Sequence, residues 1–176
     1  VINSAQTWEK IMAAESTFDI VSEFDRQELV NAVDQAQREI NNRYDLKDSQ
    51  TEIVLGEKEL TITTGSEMHL DAVRDVLQTK IIRRNLSLKI LKFDKVQEIG
   101  GLRVRQVATL QEGMPEDTAK KLQKMIREQF PKVQPRIHGA ALRVGSKNKD
   151  ELQAVIRLVK ERQDDFPVPL QFTNYR

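Results

Sequence analysis

Apolar and polar side chains alternate through Phe18-Asp19-Ile20-Val21-Ser22-Glu23, the period of a strand. Asp25-Arg26-Gln27-Glu28 follows as a capping box, in which a carboxylate accepts from the free N–H groups of a helix start. Leu29, Val33, Ala36 and Ile40 then recur at helical spacing, so a helix is expected to run to about Arg43. Glu52–Leu55 and Leu60–Thr64 read as a hairpin closed by Gly56-Glu57-Lys58-Glu59. Gly65-Ser66 ends the second strand, Ser66 serves as a helix cap, and Leu70, Val73, Leu77 and Ile81 mark the buried stripe of the helix it opens. Leu86–Phe93 reads as a strand or extended segment, and Gly100-Gly101 as a break, taken as a flexible turn between domains.

The same order of elements then returns. Arg103–Leu110 alternates as a strand, and Met114-Pro115 opens a helix with proline in its first turn, where the missing N–H costs nothing. Ala119, Leu122, Ile126 and Phe130 form the stripe of that helix. Val133–Ile137 and Ala141–Val144 flank His138-Gly139-Ala140 as a second hairpin. Asn148 with Glu151 gives another capping box, Leu152, Val155, Ile156 and Val159 line the last helix, and Leu170–Tyr175 forms a final strand. Leu70-Asp71-Ala72-Val73 echoes Leu152-Gln153-Ala154-Val155, and Gln37-Arg38-Glu39 echoes Ile126-Arg127-Glu128, at equivalent points of the two runs. Two strand-helix-strand-strand-helix-strand runs predict an α+β protein of two ferredoxin-like domains, each an antiparallel four-stranded sheet with two helices on one face. The other face of each sheet must then be polar, packed on the sister domain or used for binding, and this sequence does not make it wholly polar.

Composition narrows the class. With 39% hydrophobic and 31% charged residues in 176, the chain has the balance of a water-soluble globular protein, and it lacks the apolar run of a membrane helix. It has no cysteine, which excludes disulfides, thiolate metal sites and a cysteine nucleophile; without a signal-type segment, the expected location is the cytoplasm. Val1 to Lys10 shows no period, and Met12 precedes the patterned region, so residues 1–15 are expected to be a disordered extension or residues upstream of the native start.

The net charge of +1 hides an asymmetry: residues 1–101 carry 13 Lys and Arg against 18 Asp and Glu, and residues 102–176 carry 15 against 9. The basic second half suggests an anionic partner. Lys80, Arg83 and Arg84 close the second helix, and Lys120, Lys121, Lys124 and Arg127 run along the third, where 120, 124 and 127 share a side. Both clusters can hold phosphates, and both also fit an ordinary solvated helix face. Arg103, Arg105, Arg136 and Arg143 lie on expected strands, from which arginines can bind phosphate bidentately or pair with carboxylates across the sheet.

Catalytic signatures are scarce. His69, expected to be solvated in a first helical turn, and His138, in a hairpin, are not spaced as metal ligands, and Gly100-Gly101 lacks the context of a phosphate loop. Asp164-Asp165 reads as a solvated helix end. The topology is that of an RNA-recognition motif, but Leu60-Thr61-Ile62-Thr63-Thr64 and Ala141-Leu142-Arg143-Val144 carry no aromatic on which a base could stack, and Phe18 and Phe172 read as core.

Phe18-Asp19-Ile20-Val21-Ser22-Glu23, Asn31-Ala32-Val33-Asp34-Gln35-Ala36, Arg43-Tyr44-Asp45-Leu46-Lys47, Asp150-Glu151-Leu152-Gln153-Ala154-Val155 and the closing Gln171-Phe172-Thr173-Asn174-Tyr175-Arg176 together resemble the YajQ family of small bacterial proteins over residues 16–176. Leu46 stands where the family usually has Phe, and Asp48 where it often has Gly. The resemblance implies two ferredoxin-like domains whose first strands are exchanged. A middle domain, residues 25–111, would be completed by strand 103–110, and a second domain would combine residues 16–24 with 112–176. It also implies a nucleotide-binding protein without known catalysis, some relatives of which are tied to cyclic di-GMP signalling. The expected protein is therefore non-catalytic, without cofactor or metal, and binds GTP, ATP or cyclic di-GMP through the eleven basic residues named above. The alternative is a regulatory module, responsive to cyclic di-GMP, that docks on a protein or RNA away from any membrane.

Overall fold

Strand pairing separates two sheets in the computed structural model of the chain, which describes residues 15–176. The expected N-terminal appendage lies outside the described residues, apart from Glu15. The elements run β1 (Ser16–Val21), α1 (Arg26–Asn42), β2 (Glu52–Leu55), β3 (Glu59–Thr64), α2 (Glu67–Arg83), β4 (Leu91–Phe93), β5 (Gln97–Ile99), β6 (Arg103–Leu110), α3 (Glu116–Gln129), β7 (Gln134–His138), β8 (Ala141–Ser146), α4 (Lys149–Glu161) and β9 (Gln171–Thr173). Phe24–Glu112 forms a contiguous middle unit; the stretch ending at Glu23 joins Gly113–Arg176 in a split unit.

In the split unit the sheet order is β7-β8-β1-β9, all antiparallel, with β1 between β8 and β9. In the middle unit it is β2-β3-β6-β4, with β6 in the corresponding inner position. Both are the ferredoxin-like order, and the first strand has been exchanged: β1 leaves the segment it precedes, and β6, arriving last, takes its place. The backbone N–H of Gly113 donates to the Ser22 carbonyl at 2.7 Å where the chain returns to the split unit. Gly113 has φ +89°, a conformation in which a side chain would be strained.

Helix stripes build each core. In the middle unit Leu29, Val33, Ala36 and Ile40 of α1 and Leu70, Val73, Leu77 and Ile81 of α2 are buried over Leu60, Ile62 and Ala108 of the sheet. In the split unit Leu122 and Ile126 of α3 and Leu152, Val155, Ile156 and Val159 of α4 are buried with Phe18, Ile20, Leu142 and Val144. Phe18 is buried in the core as expected, whereas Phe172 is only partly buried and packs against it edge to face, with ring centroids 5.9 Å apart. No described helix is long and apolar enough to cross a membrane.

A glutamine from a helix guards an outer strand in each unit. The Gln37 side chain accepts from the Ile53 N–H at 3.0 Å and donates to the Thr51 carbonyl at 3.0 Å. Gln123 donates to the Pro135 carbonyl at 2.9 Å, and Pro135 has no N–H of its own to offer. Both close backbone groups that would otherwise template a further strand.

Several local expectations are corrected. Leu88–Ile90 is a turn of 3-10 helix, and only Leu91–Phe93 pairs as a strand, because the Ser87 hydroxyl caps the Lys89 N–H at 3.2 Å and coils the chain there. The middle sheet has five strands rather than four, since Gln97–Ile99 adds to β6. Gly100-Gly101 lies within the middle unit, between β5 and β6, instead of between domains. Asp25 caps α1 as expected, accepting from Gln27 and Glu28 N–H groups at 2.9 and 3.3 Å. At α4, by contrast, Asn148 accepts from the Asp150 N–H, but Glu151 bonds the Ser146 hydroxyl, which itself accepts from the Asn148 N–H; a serine relay replaces the direct box. His69 is only partly exposed, and its buried Nδ1 has no hydrogen-bond partner among the described residues, because α2 starts close against Gly65.

Candidate phosphate-binding groove

The basic residues of the middle unit are mostly engaged inside it. Lys80, in the last turn of α2, pairs with Glu39 of α1 at 3.3 Å, and Arg84 at the helix cap pairs with Glu28 of α1 at 3.3 Å. Arg103, at the start of β6, donates to the Ser49 carbonyl at 3.0 Å and also to that of Gln50, so its guanidinium ties down the loop after α1. Arg83 is exposed at the end of α2, and Arg105 is exposed on the sheet face turned away from the helices, in register with Thr63 and Gln97. Neither has an ion-pair or hydrogen-bond partner among the described residues. A groove of about 460 Å³ beside Arg103 is lined by Glu67, Glu98, Ile99 and Leu102 among others, and its two carboxylates disfavour an anion.

In the split unit the sheet register lines up Arg136, Arg143, Asp19 and Thr173 across four strands. Arg143 is taken: its Nε and Nη2 donate to the two Asp19 oxygens at 2.9 and 3.3 Å, and Asn174 adds a third bond to Asp19 at 3.0 Å. These donors hold the buried Asp19 carboxyl below the usual carboxylate range, against the opposing pull of desolvation. Lys120 pairs with Glu116 one turn earlier at 3.0 Å, which raises its pKa. Lys121 donates to the Asp165 carbonyl at 2.8 Å and lies 4.9 Å from the centre of the Phe166 ring. Asp165 sits in an exposed 3-10 turn, and no described group of three or more His, Cys, Asp or Glu could hold a metal ion.

Arg127, Arg136 and Lys124 remain. Lys124 and Arg127 lie three residues apart on the exposed side of α3, and neither has a carboxylate partner among the described residues. Arg127 and Arg136 line one groove of about 410 Å³, with Pro131, Val133, Gln134 and Pro135 as the rest of its wall. The Gln134 amide oxygen accepts from Arg136 and orients its guanidinium. Of the eleven basic residues singled out in the sequence, only these two arginines share a described cavity while free of carboxylates. Pro131, Gln134 and Pro135 were not singled out; a proline at either end of Pro131-Lys132-Val133-Gln134-Pro135, just before a strand arginine, is the signal that marks this wall.

Two planar cations in an open groove can take phosphate oxygens through paired N–H donors. A family model described as nucleotide-binding protein YajQ-like matches residues 16–176. The chain belongs to the YajQ-like family. Within that family it is similar to a protein named nucleotide-binding protein from Roseiflexus castenholzii, 77% identical over 165 residues that make up 94% of this chain and all of the relative. Proteins of the same name from Chloroflexus aurantiacus and Trichodesmium erythraeum are each 60% identical over 94% of this chain and their whole length.

Proposed function

We propose that this YajQ-like protein binds a nucleotide without transforming it, and that the split unit holds the ligand's phosphate between Arg127 and Arg136. The observation that carries the reading is the pairing of two arginines in one groove with no internal carboxylate to displace. The name shared by its relatives supports nucleotide binding in general. A charge-assisted hydrogen bond is worth about 1.5–3 kcal/mol, so losing either guanidinium lowers affinity roughly ten- to hundredfold. Isothermal titration with GTP, ATP, cyclic di-GMP and transfer RNA tests the reading: heat is expected with at least one nucleotide, and Arg127→Ala or Arg136→Ala weakens it. Silence from all four at high protein concentration argues against it. An RNA ligand is distinguished by affinity that falls steeply with salt, because phosphate contacts release counterions.

A second reading, a regulatory module docking on a protein, is favoured by one feature of the middle unit. Leu102 is 95% exposed at φ +64°, and Met68 is 81% exposed, so two large apolar side chains stand in water, one of them on strained backbone. A partner captured from lysate after nucleotide removal, and lost with Leu102→Asp, supports docking; capture indifferent to that change counts against it.

A further inference from the structure

We infer that the Arg127–Arg136 groove grips a terminal phosphomonoester directly, with no divalent cation between protein and phosphate. The inference rests on the nucleotide-binding reading above and narrows it. Magnesium in nucleotide sites is bound through one or two carboxylates together with the substrate's phosphates. The groove offers none: its described lining is two arginines, a glutamine, two prolines and a valine. The charge balance points the same way. A terminal phosphomonoester carries about −1.5 to −2 at neutral pH, a close match to two guanidinium groups. A phosphodiester such as cyclic di-GMP offers a single negative charge per phosphate and no terminal oxygen trio. When magnesium already bridges the phosphates of a triphosphate, their charge is partly neutralised, which weakens their attraction to a guanidinium fork. Lys124, on the same side of α3 as Arg127, adds a third positive charge that favours the metal-free anion.

The experiment is titration of the full chain with 5′-GMP, guanosine, and GTP in EDTA or in excess magnesium, repeated with Arg127→Ala and Arg127→Lys. Arg127 is exposed, so the fold should survive both changes, and circular dichroism checks this. The expected results are binding of 5′-GMP, at least tenfold weaker binding of guanosine, and GTP binding in EDTA at least as tight as in magnesium. Arg127→Ala should lose tenfold or more in GTP affinity, with Arg127→Lys between it and the parent protein. GTP binding that depends on Arg127 but tightens when magnesium is added overturns the metal-free grip and leaves the nucleotide reading standing. Equal affinity for guanosine and 5′-GMP overturns the phosphate preference. Binding untouched by Arg127→Ala, or none in any condition, overturns both.

Discussion

At the end of α2 in the middle unit, Lys80 and Arg84 reach back to Glu39 and Glu28 and clamp the two helices together. At the matching end of α4 in the split unit, Lys160 instead lies over the Phe172 ring, 5.8 Å from its centre. The strand arginines diverge as well. Arg103 secures loop carbonyls, Arg143 secures a buried aspartate, and Arg136 is left at the rim of a groove. Two copies of one sheet order therefore assign their positive side chains to different work. The middle unit turns Lys80, Arg84 and Arg103 into internal ties and leaves Arg83 and Arg105 without partners among the described residues, whereas the split unit leaves Lys124, Arg127 and Arg136 free of carboxylates and brings the two arginines into one groove. A duplicated fold gives no guarantee of duplicated binding, because each cation's role depends on the carboxylates and carbonyls that happen to surround it.

The largest expected effect tests that division. Arg127→Ala combined with Arg136→Ala should lower nucleotide affinity by about a hundredfold or more, taking each arginine as one charge-assisted contact. Lys80→Ala with Arg84→Ala should leave affinity within about twofold in the same titration, since both are bound to carboxylates already. A loss from the second pair equal to that from the first would erase the distinction between the units.

A smaller effect compares the edge guards. Gln37→Ala removes a partner from both the Ile53 N–H and the Thr51 carbonyl, and should cost about 1–2 kcal/mol in urea unfolding. Gln123→Ala removes one bond, to Pro135, and should cost about 1 kcal/mol or less. The reverse order would show that the proline-bearing edge relies on its glutamine more than the other does.

The subtlest effect is on pH dependence. Asp19 has a depressed pKa when folded, so its contribution to stability is present above its unfolded value of about 3.9 and is lost as pH falls through the folded value. Thermal melts of Asp19→Asn should therefore fall less steeply below about pH 4 than those of the parent protein. Parallel acid profiles would remove Asp19–Arg143 as a source of the split unit's acid sensitivity.

The helices were legible because their signal is local. Leu29 to Ile40 and Leu70 to Ile81 repeat with the turn of the helix, and all eight residues of those two stripes are buried. Gln97–Ile99 escaped notice because three largely exposed residues carry no usable alternation. The site was less legible for a related reason. The sequence shows that Lys80, Arg84 and Arg143 are basic, but their carboxylates lie 41, 56 and 124 residues away along the chain, and only the folded chain brings them together. The exchange of first strands came from family resemblance, since alternation in Phe18–Glu23 and Arg103–Leu110 says that each is a strand and nothing about which sheet receives it.

That exchange sets a timetable for synthesis. Once residue 112 has cleared the ribosome, every strand of the sheet containing β6 is in hand, and that half can close by itself. Its sibling must hold β1 in waiting until β8 and β9 have been made. A fragment beginning at Gly113 would lack its inner strand and bare two raw edges, whereas a fragment spanning Phe24–Glu112 would lack none.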